Sequence, residues 1–448
     1  MKRYIFIVAA LMLAVACGGD DTKMPWDDAL GGGNQGEQPA PGDGENGDGT
    51  EGDDTEGDID DGTPKVGKTL PAWSEGCLDI HFINTGRGEC AFYILPDGTT
   101  LLVDAGEIVT EENSVPQRPR DGVRPYIVYA EYIKHFHPEG KSQEKPIIDY
   151  CAPSHFHIDH IGGSAAVTET DSEGGYRKAG LMALYDKVLY KHVIDRSYPD
   201  YKENATTPAM EGQLCEDWAK FVKWGVENGK FTGARFTPGE EQIVMLNNKA
   251  GYSNFELLNI CANGFVVGKD SSGATTILGE KSGVGNPASC GFHIRYGNFD
   301  YIACGDLTSA PQNLVAGYFH DFIGDGKLDA FKCHHHLSAN AWGSQMQKKT
   351  FNPHIIVNMN FYKSQPNAEL LGKIFNNEFS FWSREFFTSN GHPEAVSENS
   401  ALYDKMAGYN GHIVIRVAAG GGEFNVYMLD DTNYDYKVKS IHGPYNSK

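Results

Sequence analysis

The chain has 448 residues, of which 40% are hydrophobic, and its formal net charge at pH 7 is −22. This length is ample for a large buried core and suits one elaborated domain better than two. The acidic balance argues against nucleic acid as the main partner, because nucleic-acid binding requires a basic surface. Beyond the amino-terminal segment, no apolar run is long enough to cross a bilayer.

The amino terminus has the pattern of an export signal. Lys2 and Arg3 precede an apolar run over 4–16, which small residues close just before Cys17. The run is too short for a stable membrane span, so residues 1–17 are predicted to be a signal peptide. The residues around Cys17 resemble a bacterial lipoprotein box, which implies lipidation of Cys17 and membrane contact through the lipid anchor only. The implied location is the bacterial outer membrane, facing the periplasm or the cell surface; ordinary secretion with a chance cysteine is the alternative.

An acidic segment follows the cysteine. Residues 18–63 contain fifteen acidic side chains and one lysine, with almost no apolar residues. Such a segment cannot bury enough apolar surface to offset its chain entropy. We therefore predict a disordered tether over 18–70 and a single folded domain over 71–448.

The folded part alternates strand and helix patterns. Residues 77–106 read as three strands joined by a glycine turn and a Pro-Asp-Gly hairpin turn. A helix is predicted over 126–134, a buried strand over 146–152, and helical patches over 179–193 and 213–228. Further strands are predicted over 242–246, 255–262, 291–296 and 300–304. This order predicts a layered α/β protein.

The most specific motif is His-Phe-His-Ile-Asp-His at 155–160, after the buried strand over 146–152. Imidazoles and carboxylates are the ligands that an ion of the Zn²⁺ class takes from proteins. The spacing lets His155 and His157 bind one ion, while Asp159 and His160 turn toward a second. A histidine-rich surface loop is the alternative interpretation.

Two later segments end strands in the same kinds of residue. Asp306 follows an apolar run over 301–304, and three histidines at 334–336 follow another over 329–333. Taken separately, each is equally consistent with a strand-capping aspartate or a histidine-bearing loop. Together with residues 155–160, they supply the carboxylate and imidazole that a two-ion site still lacks.

These motifs resemble the metallo-β-lactamase superfamily, and most closely the metal-hydrolase domain of ComEC-type competence proteins. The resemblance covers about residues 77–430, with an insertion at about 164–250. The matching segments are 84–89, 101–106, 154–163, 295–306 and 329–338. The resemblance implies an α/β fold, the metallo-β-lactamase αββα four-layer sandwich with an inserted helical segment, and a site at the strand ends.

The resemblance also implies a role for each residue. His155 and His157 would bind the first metal, and Asp159 and His160 the second. Asp306 would bridge both ions and His335 would complete the second site, with His334 or His336 possible if the register slips. Asp104 would orient the motif without binding metal. Asp159 and His335 would take part in catalysis, and His392 is a candidate to face the substrate.

The sequence departs from the superfamily pattern in three places. Asn84 and Glu89 stand at the acidic positions of the family's first turn. The usual third-motif histidine has no clear counterpart, and Asn286 and Ser289 precede the Asp306 strand instead. Leu337 replaces the glycine that follows the two histidines of the last motif. The second ion therefore has the more complete set of predicted ligands.

The implied cofactors are two divalent metal ions, zinc or alternatively manganese. Two such ions can activate a water molecule and polarise a scissile phosphoryl or carbonyl oxygen. The primary hypothesis is a metal-dependent hydrolase, specifically a phosphodiesterase, acting on a small molecule or on a surface glycan or headgroup phosphodiester. The alternatives are a lactonase or β-lactamase type of hydrolase, and a non-catalytic surface binding lipoprotein that contains metal.

Overall fold

A computed structural model describes residues 62–163, 167–201, 212–282, 285–324, 327–343, 346, 351–376 and 384–448. The predicted signal peptide, Cys17 and most of the tether lie outside the described residues, so the lipid anchor and the location stay predictions. Among the described residues, no helix has the length and apolar character needed to cross a membrane.

Eighteen strands are present in the described part of the chain. They are β1 Leu78–Phe82, β2 Ala91–Ile94, β3 Thr100–Val103, β4 Ile147–Cys151, β5 Leu189–Asp195, β6 Thr232–Arg235, β7 Phe255–Ala262, β8 Phe265–Lys269, β9 Thr275–Gly279, β10 Gly291–Tyr296, β11 Phe299–Ala303, β12 Lys327–Lys332, β13 Asn352–Asn358, β14 Glu385–Thr388, β15 Gly408–Tyr409, β16 His412–Val417, β17 Glu423–Leu429 and β18 Val438–Asn446.

Helices occupy the connections between many of these strands. The described α-helices are α1 Pro125–Phe136, α2 Ile158–Ile161, α3 Gly180–Leu184, α4 Gly212–Glu227, α5 Ser309–Phe322, α6 Ala368–Asn376, α7 Pro393–Glu398 and α8 Ser400–Tyr403. Short 3₁₀ turns lie at Gly140–Ser142, Lys249–Tyr252, Asn286–Ala288 and His334–Leu337.

The strands form two mixed sheets. The first has the order β18-β17-β16-β1-β2-β3-β4-β5-β6, and the second has the order β15-β14-β13-β12-β11-β10-β7-β8-β9. In the first sheet, pairing is antiparallel from β18 to β3 and parallel from β3 to β6. In the second sheet, pairing is parallel from β15 to β11 and antiparallel from β11 to β9.

Three apolar cores separate four layers. One core fills the space between the sheets and includes Ile80, Tyr301 and Ile415. A second packs the outer face of the first sheet against α1, α3 and α4, and a third packs the outer face of the second sheet against α5 and α6. The predicted α/β class and αββα sandwich are therefore confirmed.

Two predicted elements are wrong in part. The helical patch over 179–193 ends at Leu184, and β5 begins at Leu189 because parallel pairing with β4 and β6 there outweighs local helix propensity. Through β5 and β6, the segment over 164–250 contributes strands to the first sheet as well as helices. Residues 242–246 bury Ile243 and Met245 in alternation but form no strand. The side chain of Thr99 accepts a hydrogen bond from the backbone of Leu246 there.

A buried ion pair joins strands β1 and β16. Arg416 on β16 donates two hydrogen bonds to Asp79, at 2.8 and 2.6 Å, and the carboxylate is fully buried. Burial raises the pKa of Asp79, but Arg416 and His81 outweigh it and lower this pKa to about 2. The pair thus links two central strands of the first sheet by a charge that water does not screen.

We expect Asp79→Ala to lower the free energy of unfolding by about 3–5 kcal/mol at pH 7, because it leaves a buried guanidinium without its partner. The folded-state pKa is below the ordinary value of 3.8, so the carboxylate stabilises the fold above pH 3.8 and this contribution is lost as the pH falls toward 2. Urea denaturation should show the difference from wild type shrinking below pH 4, while exposed Asp404→Ala stays within about 0.5 kcal/mol of wild type. A difference that stays constant from pH 7 to pH 3 would contradict this account.

Candidate metal centre

The candidate site lies at the carboxyl ends of parallel strands from both sheets. Asp104 follows β3 and the 154–160 motif follows β4 in the first sheet, while Asp306 follows β11 and the 334–337 turn follows β12 in the second. Strand ends of this kind bring side chains from distant parts of the sequence to one edge. The two edges meet where His160 contacts Asp306.

Asp306 is the centre of a buried cluster. Its Oδ2 atom lies 3.1 Å from His160 Nε2 and 3.0 Å from His336 Nε2. With Glu89, these three residues offer ligand atoms that all lie within 4.8 Å of one another. Asp159 joins the same group, because its Oδ2 atom is 3.3 Å from His336 Nε2.

Hydrogen bonds on the far side of each ring orient the two imidazoles. Asp104 Oδ2 lies 2.8 Å from His160 Nδ1, and the backbone carbonyl of Met359 lies 2.8 Å from His336 Nδ1. When Nδ1 donates its proton to these acceptors, the Nε2 atom presents its lone pair to the cluster. Asp104 also accepts hydrogen bonds from the backbone and hydroxyl of Ser154, which fixes the start of the motif.

Several atoms of the cluster have no hydrogen-bond partner among the described residues. They are Nε2 of His155, His160 and His336, and both carboxylate oxygens of Asp306, all buried. A buried polar atom without a partner costs about 1–3 kcal/mol, and more when it is charged. A divalent cation would satisfy both imidazole nitrogens and carboxylate oxygens, so these residues fit a metal ion of the zinc or manganese class.

The carboxylates of the cluster create a demand for positive charge, which a proton on His336 or a bound cation would meet. Burial raises the pKa of Asp159, but His160 and His336 outweigh burial and bring this pKa down to about 2. Burial lowers the pKa of His336, yet Asp306 and Asp159 raise it to about 9. Burial, together with His160 and His157, holds the pKa of His155 well below its usual range, which keeps this ring neutral and able to bind metal.

His155 and His157 lie beside this cluster. The ring centroid of His155 is 4.1 Å from that of His160 and 4.5 Å from that of His157. His155 is fully buried, whereas His157 is the partly exposed N-cap residue of α2. The structure therefore places the four predicted ligands of the 155–160 motif close to one another, and through His160 the motif contacts Asp306.

Asn286 and Ser289, which stand in the region of the missing third-motif histidine, have positioning contacts. The hydroxyl of Ser289 accepts a hydrogen bond from the backbone N–H of Asp306, at 3.2 Å. The amide of Asn286 lies 3.1 Å from His335 Nε2. These contacts hold the bridging candidate and the neighbouring histidine turn in place.

The structure brings His336, and not His335, to Asp306. Both ring nitrogens of His335 have other partners, with Nδ1 lying 2.6 Å from the side-chain oxygen of Asn340. His334 lies in the outer core, where its ring contacts Phe331. His392 is the N-cap residue of α7, and its Nδ1 accepts a hydrogen bond from the backbone of Glu394.

Glu89 and Lys332 were not assigned to the site by sequence analysis. Lys332 Nζ lies 2.6 Å from Glu89 Oε1 and 3.8 Å from Asp306 Oδ1, and Glu89 Oε2 lies 3.4 Å from His336 Nδ1. Both charged side chains are buried. The available signal was a lysine at the end of a buried apolar strand, where an unpaired ammonium group is rarely found.

A backbone contact fixes the position of the metal motif. Ala105 and Glu107 donate hydrogen bonds to the carbonyls of His160 and Ile158, and Glu89 donates one to the carbonyl of Asp159. Gly106 lies so close that an added Cβ atom would be 1.9 Å from the carbonyl oxygen of Asp159. The glycine of the Asp-Ala-Gly segment is therefore required by packing.

Solved structures that are similar to this chain include two proteins of low sequence identity. No family model and no curated protein matches the sequence. CmlA, a diiron β-hydroxylase from Streptomyces venezuelae, is 12% identical with a TM-score of 0.33; the match covers 78% of this chain and 55% of CmlA, so the chain spans about half of that protein. A mutant metallo-β-lactamase from Cronobacter sakazakii is 13% identical with a TM-score of 0.28, over 58% of this chain and 79% of that one. The site described above rests on this chain's own strands and side chains.

We expect Gly106→Ala to displace Asp159 and weaken both metal binding and the fold. The methyl group has no room, and overpacking of this kind costs about 1–3 kcal/mol or more. Metal content after dialysis and urea denaturation should both fall below wild type. Gly372→Ala is the matched control, since an added Cβ there meets nothing within 4 Å and lies in α6. Equal effects of the two substitutions would contradict the packing argument.

We expect Asp104→Asn to weaken metal affinity by about 10- to 100-fold, because the carboxylate that orients His160 is lost while the size of the side chain is kept. Titration against a chelating dye measures this directly. Asp404→Asn, at an exposed position, should bind metal as wild type does. Unchanged affinity in Asp104→Asn would show that Asp104 does not orient the ligand.

Proposed function

We propose that this protein is a metal-dependent hydrolase that holds two divalent ions and cleaves phosphodiesters. The observation that carries the proposal is Asp306, a buried carboxylate with both oxygens unpartnered among the described residues and two imidazoles within 3.1 Å of one of them. A buried carboxylate that lies beside two imidazole nitrogens and makes no regular hydrogen bond with a described residue is suited to bind divalent cations. His160 and His336 would hold one ion with Asp159, and His155 and His157 would hold the other.

When bound, the ions would supply an activated water molecule and polarise the scissile bond. The protein itself provides the direction of approach. His157, Asp159 and His335 are partly exposed, whereas His155 and Asp306 are buried. A substrate would therefore reach the cluster from the side of the three partly exposed residues, and the buried side would exclude bulk water.

The buried ion pair of Glu89 and Lys332 would stabilise the buried side of this site. Lys332 is held by Glu89 and by the carbonyl of Gly305, which precedes Asp306. Burial lowers the pKa of Lys332, but Glu89 and Asp306 outweigh it and raise this pKa above its usual range. The ammonium group thus stays charged and holds the backbone of the Asp306 loop against the turn that carries His336.

The choice of a phosphodiester rests on the motif resemblance to ComEC-type metal-hydrolase domains. The alternatives are a lactone or β-lactam substrate, or a binding protein that keeps the metal without catalysis. No described contact favours either alternative over a phosphodiester. Zinc and manganese both suit the donor set of imidazoles and carboxylates.

We expect the metal-loaded protein to hydrolyse bis-p-nitrophenyl phosphate, and Asp159→Ala to lower kcat/KM by about 100-fold or more, because a ligand and a partly exposed carboxylate are both lost. Mass spectrometry of the same samples gives the identity and number of ions. The control is Asp404→Ala, which should retain wild-type turnover and metal content.

A panel with nitrocefin and a simple lactone tests the other hydrolase types. Preference for one of these over the phosphodiester would overturn the substrate assignment but not the metal centre. If Asp159→Ala turned over substrate as fast as the wild type, the enzyme assignment would be wrong. Bound metal without turnover of any ester would support the binding lipoprotein.

A further inference from the structure

The segment that precedes β10 lies against the metal motif. An added Cβ atom at Gly285 would be 3.6 Å from His157 Nε2, and the backbone N–H of Cys290 donates a hydrogen bond to the carbonyl of Ser154, at 2.8 Å. Between these two contacts, residues Asn286–Ala288 form a short 3₁₀ turn. The side chain of Asn286 therefore begins one residue away from a contact with His157.

The same segment reaches the carboxylate at the centre of the cluster. The hydroxyl of Ser289 accepts a hydrogen bond from the backbone N–H of Asp306, at 3.2 Å. Residues 285–290 thus extend from His157 to Asp306, two of the residues that lie around the first ion in the proposed centre. Asn286 stands between these two contacts.

One side-chain atom of this turn lacks a partner. Oδ1 of Asn286 is buried and accepts no hydrogen bond from any residue that the structure describes. His155 Nε2, in the motif against which the segment lies, is likewise buried and unpartnered within the described part of the chain. Leaving a buried amide oxygen without a donor or a cation is costly, so both atoms call for a ligand between the two segments.

A chain of hydrogen bonds fixes the direction of the amide. Nδ2 of Asn286 can only donate, and it lies 3.1 Å from His335 Nε2, which must therefore accept. The proton of that ring is then on Nδ1, which lies 2.6 Å from the side-chain oxygen of Asn340. With Nδ2 directed to His335, the geometry of the amide turns Oδ1 of Asn286 away from that ring.

The two ions of the proposed centre have unequal ligand sets. The second ion has two imidazoles and the carboxylate of Asp159 beside Asp306, whereas the first ion has only His155 and His157 beside it. An amide oxygen can fill this difference, since carbonyl oxygens bind divalent ions such as Mn²⁺. Because an amide carries no charge, the first ion would be held more weakly than the second.

We propose that the side-chain oxygen of Asn286 is the third ligand of the first ion, beside His155 and His157. The inference rests on the two-ion centre of the proposed function, but not on its substrate. His335 is then a positioning residue, which holds the amide in the orientation that binds metal.

Titration of the metal-free protein with Zn²⁺ against a chelating dye, with native mass spectrometry to count the ions, tests the assignment. We expect the wild type to bind two ions. Asn286→Leu, which removes the oxygen at nearly constant size, should weaken the weaker ion by about 10-fold or more and leave the tighter one unchanged. Asn286→Asp keeps an oxygen and should bind both ions at least as tightly as the wild type.

The two substitutions separate a ligand from a structural asparagine. Both remove the donor to His335, so a purely structural role would make them equally harmful, and Asn286→Asp that behaves as Asn286→Leu does would overturn the proposal. If Asn286→Leu fails to fold, Asn286→Ala takes its place with the same expected loss. Asn228→Leu is the matched control, because Asn228 is exposed just after α4 and should not affect either ion.

A double variant identifies which ion is affected. His157→Ala removes a ligand of the first ion, so adding Asn286→Leu to it should cause little further loss, because both changes act on the same ion. Additive losses on two different ions would contradict the assignment.

The remaining outcomes separate this inference from the proposed reaction. Two ions bound by Asn286→Leu with wild-type affinity overturn the assignment alone. A wild type that binds one ion, with an affinity that Asn286→Leu leaves unchanged, overturns both the assignment and the two-ion centre. Loss of the weaker ion in Asn286→Leu, when the wild type cleaves no phosphodiester, supports the assignment while the proposed reaction fails.

Discussion

The metal centre depends on one close backbone contact, that of Gly106 with the carbonyl group of Asp159. Helix α2, which carries Asp159 and His160, has only four residues and cannot be stable by itself. Hydrogen bonds from Glu89, Ala105 and Glu107 hold it instead, and they require the loops after β1 and β3 to approach it closely. Gly88 shares this requirement, since an added Cβ atom would lie 2.9 Å from the same carbonyl oxygen.

This contact places several carboxylates in a largely buried region, where their charges must be balanced. Lys332 neutralises Glu89 at 2.6 Å, which leaves Asp104, Asp159 and Asp306 around the imidazoles. Separating such carboxylates from water is costly unless cations accompany them. The excess of negative charge that remains is what divalent ions would compensate. The ion pair of Glu89 and Lys332 thus determines how much further positive charge the centre can accept.

The order of strand and helix patterns predicted a layered α/β protein, and the resemblance to the metallo-β-lactamase superfamily implied the αββα sandwich that the two sheets form. Apolar runs that end in Asp104, the 155–160 motif and Asp306 indicated strand ends, and parallel pairing of those strands brings the ends together. The strand β5 was not predictable, because its residues match a helical pattern locally and only pairing with β4 and β6 decides its form. Glu89 and Lys332 were missed because their pairing joins the loop between β1 and β2 to strand β12, which lies far away in sequence.

The sequence pattern could not decide which of the adjacent histidines faces Asp306, and the reason is the backbone conformation of the turn. His335, His336 and Leu337 have φ angles of 44°, 52° and 53°, a left-handed turn that neither a helix nor a strand pattern foretells. Each such residue costs about 1–2 kcal/mol. Burial of the Leu337 side chain contributes about 1.5–3 kcal/mol in return.

Hydrogen bonds add to this compensation. The backbone of Asn367 donates to the carbonyl of Leu337, and the backbone of Ser338 donates to the carbonyl of His335. Leu337 can therefore occupy a position where the motif that it resembles has glycine, because tertiary contacts stabilise the left-handed turn. The turn directs His336 toward Asp306, and its strain is located where the site needs a fixed imidazole.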